Sequence, residues 1–383
     1  MFKFLSSMQE LGVSDEDMWN NALQENAKRF SPPLEEKEIS NIYGSALSFP
    51  KGFRLKRNKN GKVEALTANF EDILEKDPRL SGKIRKSRLA LSNILIFGEG
   101  EEPLPWVNQS SCYQEMTDYD EAELKSYIER RYGIYNEQKF SNALRTVSGR
   151  LEFDEFENWL NGLPAWDGTE RVKHLLHKYL GVEENQYTQE AIKLYMVAAI
   201  ARTFHPGRKF DYCLIVVGDQ GVGKSLFFRK LAVNDEWFCD NMVTLDGKDA
   251  MEILRGMKMI ELAELSAFKS AKDIEHIKAF ITSQTDIFRS PYDKYSGKHQ
   301  RQCVFCGTTN DRHFLVDSTG NRRYMPVQAV AINREQPLDA ADPDEVRAHI
   351  IQCWAEAYHI YKTEYANPDK PLILSKQAEA IAN

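Results

Sequence analysis

The 383-residue chain is 42% hydrophobic and 28% charged, an ordinary soluble mixture with enough apolar content for two or three domains and at least one sizeable core. A net charge of −7 argues against a uniformly basic nucleic-acid binder but leaves room for a local basic channel. No signal peptide is visible at Met1, and the longest apolar run, residues 195–201, is far too short to span a bilayer. The six cysteines are scattered as in a reduced cytoplasmic protein, so a cytoplasmic chain with no membrane partner is expected.

In chain order, residues 1–50 predict a small helical module: the run from Ser14 to Asp17 caps a helix, and Pro32-Pro33 interrupts before another at 34–46. Residues 51–65 carry Lys51, Arg54, Lys56, Arg57, Lys59 and Lys62 and predict a basic linker or exposed arm. A second basic cluster at 83–88 precedes an apolar run at 89–97. A mostly helical domain is expected over 66–205, with Trp166 placed to plug a domain junction and a helix at 188–202 apolar on most sides, hence buried. His174 and His177 lack a third ligand in view and are expected to be structural.

From 206 to 330 the pattern changes. Short β-rich runs at 211–217, 238–245, 257–262, 303–309 and 323–327 alternate with helical ones at 224–231, 248–255 and 271–283. Alternation of this kind predicts an α/β fold, a three-layer sandwich around a mainly parallel sheet. Cys303 and Cys306 lie three apart in one such strand, which sends their side chains to opposite faces and suits apolar filling rather than metal binding. Residues 331–383 predict a helical C-terminal extension.

One segment carries chemistry by itself. Gly218, Asp219, Gln220, Gly221, Val222, Gly223, Lys224 and Ser225, followed by Leu226, fit G-x-x-x-x-G-K-[ST] between an apolar strand and a helix. The glycines let successive amides turn toward phosphate, and the helix start adds its positive dipole end. Lys224 then supplies a point charge to the β- and γ-phosphates and Ser225 a hydroxyl to magnesium, so ATP and Mg2+ are the expected ligands. A second strand must bring carboxylates to the metal and the attacking water. Glu261, set among Met259, Ile260, Leu262 and Ala263, is the candidate, with Glu264 just beyond; which of them is the base stays open. Asn310, at the tip of the 303–309 strand, can hold the lytic water or sense the γ-phosphate, while Arg322 and Arg323 suit charge developing on phosphate. Between these pieces lies a hairpin-length stretch with Tyr292, Lys294, Lys298 and His299, a mixture of aromatics and cations suited to single-stranded DNA.

The order of these pieces resembles the virulence-associated protein E family of phages and pathogenicity islands. It also looks related to phage- and poxvirus-type superfamily 3 helicases of the AAA+ class. The stretches that carry the resemblance are NWLNGLPAWDGTER (158–171), residues 211–225, ELAEL (261–265), residues 277–289 with Pro291-Tyr292, and RQCVFCGTTNDRHFLVDSTGNRRYMP (301–326). Residues 26–46 look like the helical module that follows the primase domain in phage primase–helicases. With no primase domain ahead of it, the chain is either a helicase-only form or a piece of a longer one.

The resemblance implies a ring, a hexamer, hydrolysing ATP at subunit interfaces, with a primase or other replication proteins as partners. It implies nucleotide and magnesium at Lys224 and Ser225, the second acidic motif at Glu261 and Glu264, and a phosphate sensor at Asn310. The arginine finger would be Arg322 or Arg323, and a pore loop gripping DNA would lie around Lys298 and His299. The departure is the acidic motif: many relatives end this strand in adjacent Asp-Glu, whereas Leu262-Ala263 separates the two glutamates here.

The expected function is therefore an ATP-hydrolysing DNA helicase or translocase in replication of a phage or mobile element. The alternative is an ATP-gated DNA-binding initiator or loader that does not unwind processively. A small-molecule kinase ranks last, since the Asn310 tip and the arginine pair serve a ring ATPase more economically.

Overall fold

The computed structural model describes residues 1–47, 52–98, 104–107, 112–240, 242, 250, 252–262, 271–288, 296–311 and 323–382; the side chains of 3, 10 and 271–274 are left aside. It contains two compact units, one of residues 1–88 with 92–153, the other of 89–91 with 154–383.

The first unit begins with helices α1 (Phe2–Glu10), α2 (Asp15–Arg29) and α3 (Glu36–Leu47) around Leu5, Met18, Ala22, Ile39 and Ala46. Ser14 accepts the Asp17 amide at 3.1 Å, and acidic residues fill the first turn of α2 while Lys28 and Arg29 close its last, so cap and dipole agree. The stretch expected as a linker is instead an ordered hairpin: Arg57 bridges Val63, and Phe53 and Leu55 are buried in a core with Phe70 and Phe140. The expected mostly helical domain also carries a mixed sheet: β1 (Ile84–Ser87), β2 (Asn93–Ile96), β3 (Tyr113–Glu115) and β4 (Glu152–Phe153), in order β3-β2-β1-β4. The second basic cluster became β1, with Lys83 and Ser87 buried and Arg85 and Lys86 half-buried. Helices α4 (Thr67–Lys76), α5 (Asp118–Tyr132) and α6 (Glu137–Arg150) complete this unit.

The second unit holds the anticipated parallel sheet. Its strands are β5 (Cys213–Val217), β6 (Phe238–Cys239), β7 (Met259–Leu262), β10 (Val304–Thr309) and β11 (Tyr324–Gln328), ordered β11-β5-β10-β7-β6 and parallel throughout. A separate antiparallel ribbon pairs β8 (Thr285–Phe288) with β9 (Gly297–Gln300). Every residue of β5, β7 and β10 is buried, as expected of strands covered on both faces. Leu214, Val216, Met259 and Cys306 face one core, packed with helices α7 (Glu155–Asn161), α8 (Leu175–Leu180), α9 (Gln186–Phe204), α10 (Lys224–Leu231) and α12 (Pro343–Ile360). Cys213, Ile215, Ile260 and Cys303 face the other, with Ile277, Phe280 and Ile281 of α11 (Ala271–Thr282). Cys303 and Cys306 are thus unpaired thiols on opposite faces. Of the helix expected at 248–255, residues 248, 249 and 251 lie outside the described residues, 250, 252 and 253 are helical, and 254 and 255 form a turn.

The boundary expected at 205/206 falls at 153/154. The cause is α9: apolar all round, it needs cover on every side, and it covers the sheet itself. The C-terminal segment is likewise part of this core rather than an extension, since Cys353 and Trp354 of α12 are fully buried and the Trp354 indole donates to Leu231 O at 2.9 Å. Trp166 does not plug a junction; half-exposed, it packs on the His359 ring at 4.9 Å. Among the described residues no helix is long and apolar enough to cross a membrane.

Buried cations occupy the amino-terminal edge of this sheet. Arg202 donates to the carbonyls of Arg208, Cys303 and Phe210 at 3.0, 2.6 and 3.0 Å. Lys258 donates to the Thr203 hydroxyl at 2.7 Å and to Gln302 O at 2.9 Å, with its ammonium 4.8 Å from the centre of the Phe156 ring. Burial pulls Lys258 from 10.5 down to about 8, against the opposing pull of Asp154. Between those two pH values the unfolded chain holds more protons than the folded one, so this lysine makes the fold more stable as pH rises, and its full cost is felt below pH 8. Buried thiols such as Cys213, pushed up by burial, act in the opposite direction above about pH 9. The comparison with Lys258→Met isolates the lysine. From pH 8 to 10 the native protein should gain on the order of 2 kcal/mol relative to that variant in urea unfolding. A difference that does not change with pH would refute the depressed ammonium.

Candidate functional site at the carboxyl edge of the parallel sheet

The wholly apolar β5 delivers the chain to the sheet's carboxyl edge, where Gly218 donates its amide to Thr309 O at 3.1 Å. Gly221 and Gly223 then take φ of +82° and +86°, a region that an L side chain rarely enters, and Gly223 is the N-cap of α10. A glycine cap brings no side-chain acceptor to the first amides of that helix.

Four predicted site residues converge here. Lys224 donates from Nζ to Gly218 O at 2.8 Å, Asp219 O at 2.9 Å and Asn310 Oδ1 at 2.7 Å. Burial draws the Lys224 pKa below the ordinary lysine value, while the charges of Asp219 and Glu261 oppose it. Ser225 donates from Oγ to Glu261 Oε1 at 2.7 Å, and Thr308 donates to the same oxygen at 2.5 Å. Glu261 is 1% exposed, and its Oε2 has no hydrogen-bond partner among the described residues. Glu261 stands opposite Cys306 in the β7–β10 register, so Thr308, two residues on, presents its hydroxyl from the same face of the neighbouring strand.

Thr308 was missed in the sequence, where it serves only as the approach to Asn310; its place in a strand beside an acidic strand was the available signal. Arg334 was also missed. It follows β11 and donates to Val222 O at 3.2 Å, inside the glycine loop, and no motif marks it. The chain comes close here because Gly181, at φ +65°, packs where an added Cβ would lie 2.1 Å from Val330 O.

The remaining expectations divide. Glu264, Arg322, Tyr292 and Lys294 lie outside the described residues. Arg323 is half-buried just before β11. Lys298 and His299 are adjacent on β9, so their side chains leave opposite faces of the ribbon. Lys298 is exposed beside the exposed Ile287, whereas the His299 ring packs on Phe288 at 4.2 Å. His174 contacts Glu184, His177 donates from Nδ1 to Val182 O at 2.9 Å, and the described residues contain no group of three or more potential metal ligands.

The donor set suits a hard cation. A buried carboxylate oxygen lacking a partner stands in the same group as a hydroxyl on the adjacent helix, and Mg2+ takes one or two such protein oxygens together with water and phosphate.

Fold and site together define a mixed α/β protein with a glycine-rich strand–loop–helix at the carboxyl edge of a five-stranded parallel sheet. Residues 160–383 match the virulence-associated protein E-like domain, and the chain belongs to that family. No curated protein matches the sequence. Among solved structures, the apo C-terminal region of NrS-1 (305–718) is similar at 14% identity and a TM-score of 0.47, over 78% of this chain and 71% of that one. The A form of the same region gives the same figures.

A double-mutant cycle tests the shared carboxylate. Thr308→Val keeps the shape and removes one donor, and should cost about 1.5–3 kcal/mol in urea unfolding, the range for a hydrogen bond to a charged group. In a Glu261→Gln background the same change should cost roughly half as much, because the acceptor is neutral. Equal costs in both backgrounds would show that Thr308 does not serve an ionised Glu261.

Proposed function

We propose that this chain is a P-loop ATPase of the AAA+-like kind, which uses ATP hydrolysis to move along DNA in the replication of a phage or mobile element. The observation that carries the proposal is the meeting of Lys224, Ser225, Glu261 and Asn310 at the ends of three adjacent parallel strands. These residues are spread over 87 positions of sequence, from 224 to 310, and random packing does not gather the four types that triphosphate hydrolysis needs. Two further features support it. Open parallel sheets bind ligands beyond their carboxyl ends where the strand order reverses, and β5 lies at such a point, between β10 and β11. Helical side chains also cover both faces of the sheet, as a three-layer P-loop fold requires.

Each residue has a defined task. The loop amides and the start of α10 receive the β- and γ-phosphates, and Lys224 exchanges one of its oxygen partners for phosphate oxygen. Magnesium, held by Ser225 and Glu261, would supply charge neutralisation between the phosphates. Asn310, which accepts from Lys224 at 2.7 Å, would orient a water at the γ-phosphate and sense its loss. Glu264 is the second carboxylate of the motif. In a ring, Arg322 or Arg323 would reach a neighbouring subunit's nucleotide. Single-stranded DNA is assigned to the β8–β9 ribbon, through Lys298 on its exposed face, with Tyr292, Lys294 and His299 as further contacts.

Lys224→Ala should lower kcat for ATP hydrolysis by on the order of 10²–10³; full turnover would refute the assigned site. With the native chain, single-stranded DNA should stimulate hydrolysis and a forked duplex should be separated. DNA binding and assembly without strand separation would favour the initiator reading instead. Lys298→Ala should weaken DNA-stimulated hydrolysis while the basal rate stays the same, and unchanged stimulation would remove the ribbon from the mechanism.

A further inference from the structure

The hairpin over residues 54–64 is absent from the chemistry above, yet it is built with care. Its stretch Arg54-Leu55-Lys56-Arg57-Asn58-Lys59-Asn60-Gly61-Lys62 holds five cations and no carboxylate, with the half-buried Glu64 following on the returning arm, in a chain whose net charge is −7. Arg54, Lys56, Arg57, Lys59 and Lys62 are all exposed, while Phe53 and Leu55 between them are buried. The alternation turns the cations of the first arm outward.

Local chemistry fixes the shape. At the tip, Asn58 Oδ1 accepts the amides of Asn60 and Lys62 at 2.9 and 3.1 Å, and the Asn58 amide donates to Lys62 O at 2.8 Å. At the root, Asn69 of α4, 1% exposed, accepts the Lys56 amide at 2.8 Å. It also donates to Lys56 O and Glu64 O, both at 2.8 Å. One buried amide thus ties both arms to a helix. A solvated linker has no use for such a staple, and like charges crowded on one short hairpin repel unless a counter-charge arrives.

We propose that this hairpin is a second nucleic-acid site, taking the phosphate backbone without regard to sequence. Outward residues two apart on an extended arm stand about 6.6 Å from each other, a spacing suited to successive phosphates of an extended strand. Arginine and lysine supply the charge, and Asn60 adds an exposed amide. No exposed aliphatic or aromatic side chain lies between 54 and 62, which leaves no apolar anchor for a lipid surface. The stapled shape removes the ordering cost that a loose basic tail would meet on binding. The inference is independent of the ATP site.

The test uses the whole chain without nucleotide and reads fluorescence anisotropy of labelled oligo-dT and of a random duplex across a salt series. Changing Lys56, Lys59 and Lys62 together to Gln should reduce the slope of log K against log salt by roughly 2 on the single strand and somewhat more on duplex. Affinity near 0.1 M salt should fall at least about tenfold. The corresponding triple change to Arg should keep slope and affinity. Asn69→Ala keeps every charge and should weaken binding several-fold at an unchanged slope; if circular dichroism shows it unfolded, the Gln and Arg series decides alone. Absence of binding by the native chain, or an unchanged slope and affinity for the Gln variant on both nucleic acids, overturns the proposal. So does a Gln variant that loses only its hold on phosphatidylserine vesicles.

Discussion

The constraint on which the second unit turns is the burial of one carboxylate at a strand end. Glu261 sits in a run of apolar residues that would be simpler with leucine there, and desolvating a carboxylate is costly unless something compensates it. Two hydroxyls do so in part, one from the helix after the glycine loop and one from the neighbouring strand, both on the same oxygen. The other oxygen has no hydrogen-bond partner among the described residues. That imbalance fixes relationships: Ser225 holds the start of α10 against β7, Thr308 locks the β10 register beside it, and Asn310 then falls within reach of Lys224.

How much of this could be read beforehand depended on whether the signal was local. The glycine loop was legible because the residues demanding positive φ, the cation and the hydroxyl are consecutive, and α10 begins and ends where its pattern says. Glu261 was legible because a lone carboxylate among Met259, Ile260 and Leu262 contradicts its surroundings. Thr308 and Arg334 were not, since a threonine in a strand and an arginine in a turn contradict nothing. Their significance comes from what lies beside them in space. The boundary at 205/206 failed for a related reason. Composition changes there from helix to strand, but α9 and the strands share one core, and a core disregards changes of secondary structure.

The basic segments teach the same lesson about charge. Two clusters of cations looked alike in sequence. One became β1, directly after the buried Lys83, with Arg85 and Lys86 half-buried; the other became a hairpin whose lysines all stand in water. The difference lies in the apolar partners. Phe53 and Leu55 alternate with cations and pull only their own side of the arm inward, whereas Ile84 and Ser87 flank Arg85 and Lys86 within a paired strand. Charge counts in a window therefore say little until the alternation around each charge is considered.

The two edges of the parallel sheet show a division of labour. At the amino-terminal edge three buried cations are matched: Arg202 spreads three donors over three carbonyls, Lys258 meets a hydroxyl and a carbonyl, and Arg301 pairs with Asp286 between the rings of Phe280 and Phe305. Those contacts bind the loops entering β5, β7 and β10 to one another. At the carboxyl edge, by contrast, a cation and a carboxylate lie in one site, one carboxylate oxygen has no partner among the described residues, and the loop backbone is held at positive φ values that side-chain-bearing residues rarely adopt. Buried polar groups left incomplete cost stability, and folds tolerate them where a ligand completes them. An edge secured by Arg202, Lys258 and Arg301 allows the opposite edge, one strand length away, to keep a buried carboxylate oxygen short of a partner, which is the condition that the proposed phosphate and metal site requires.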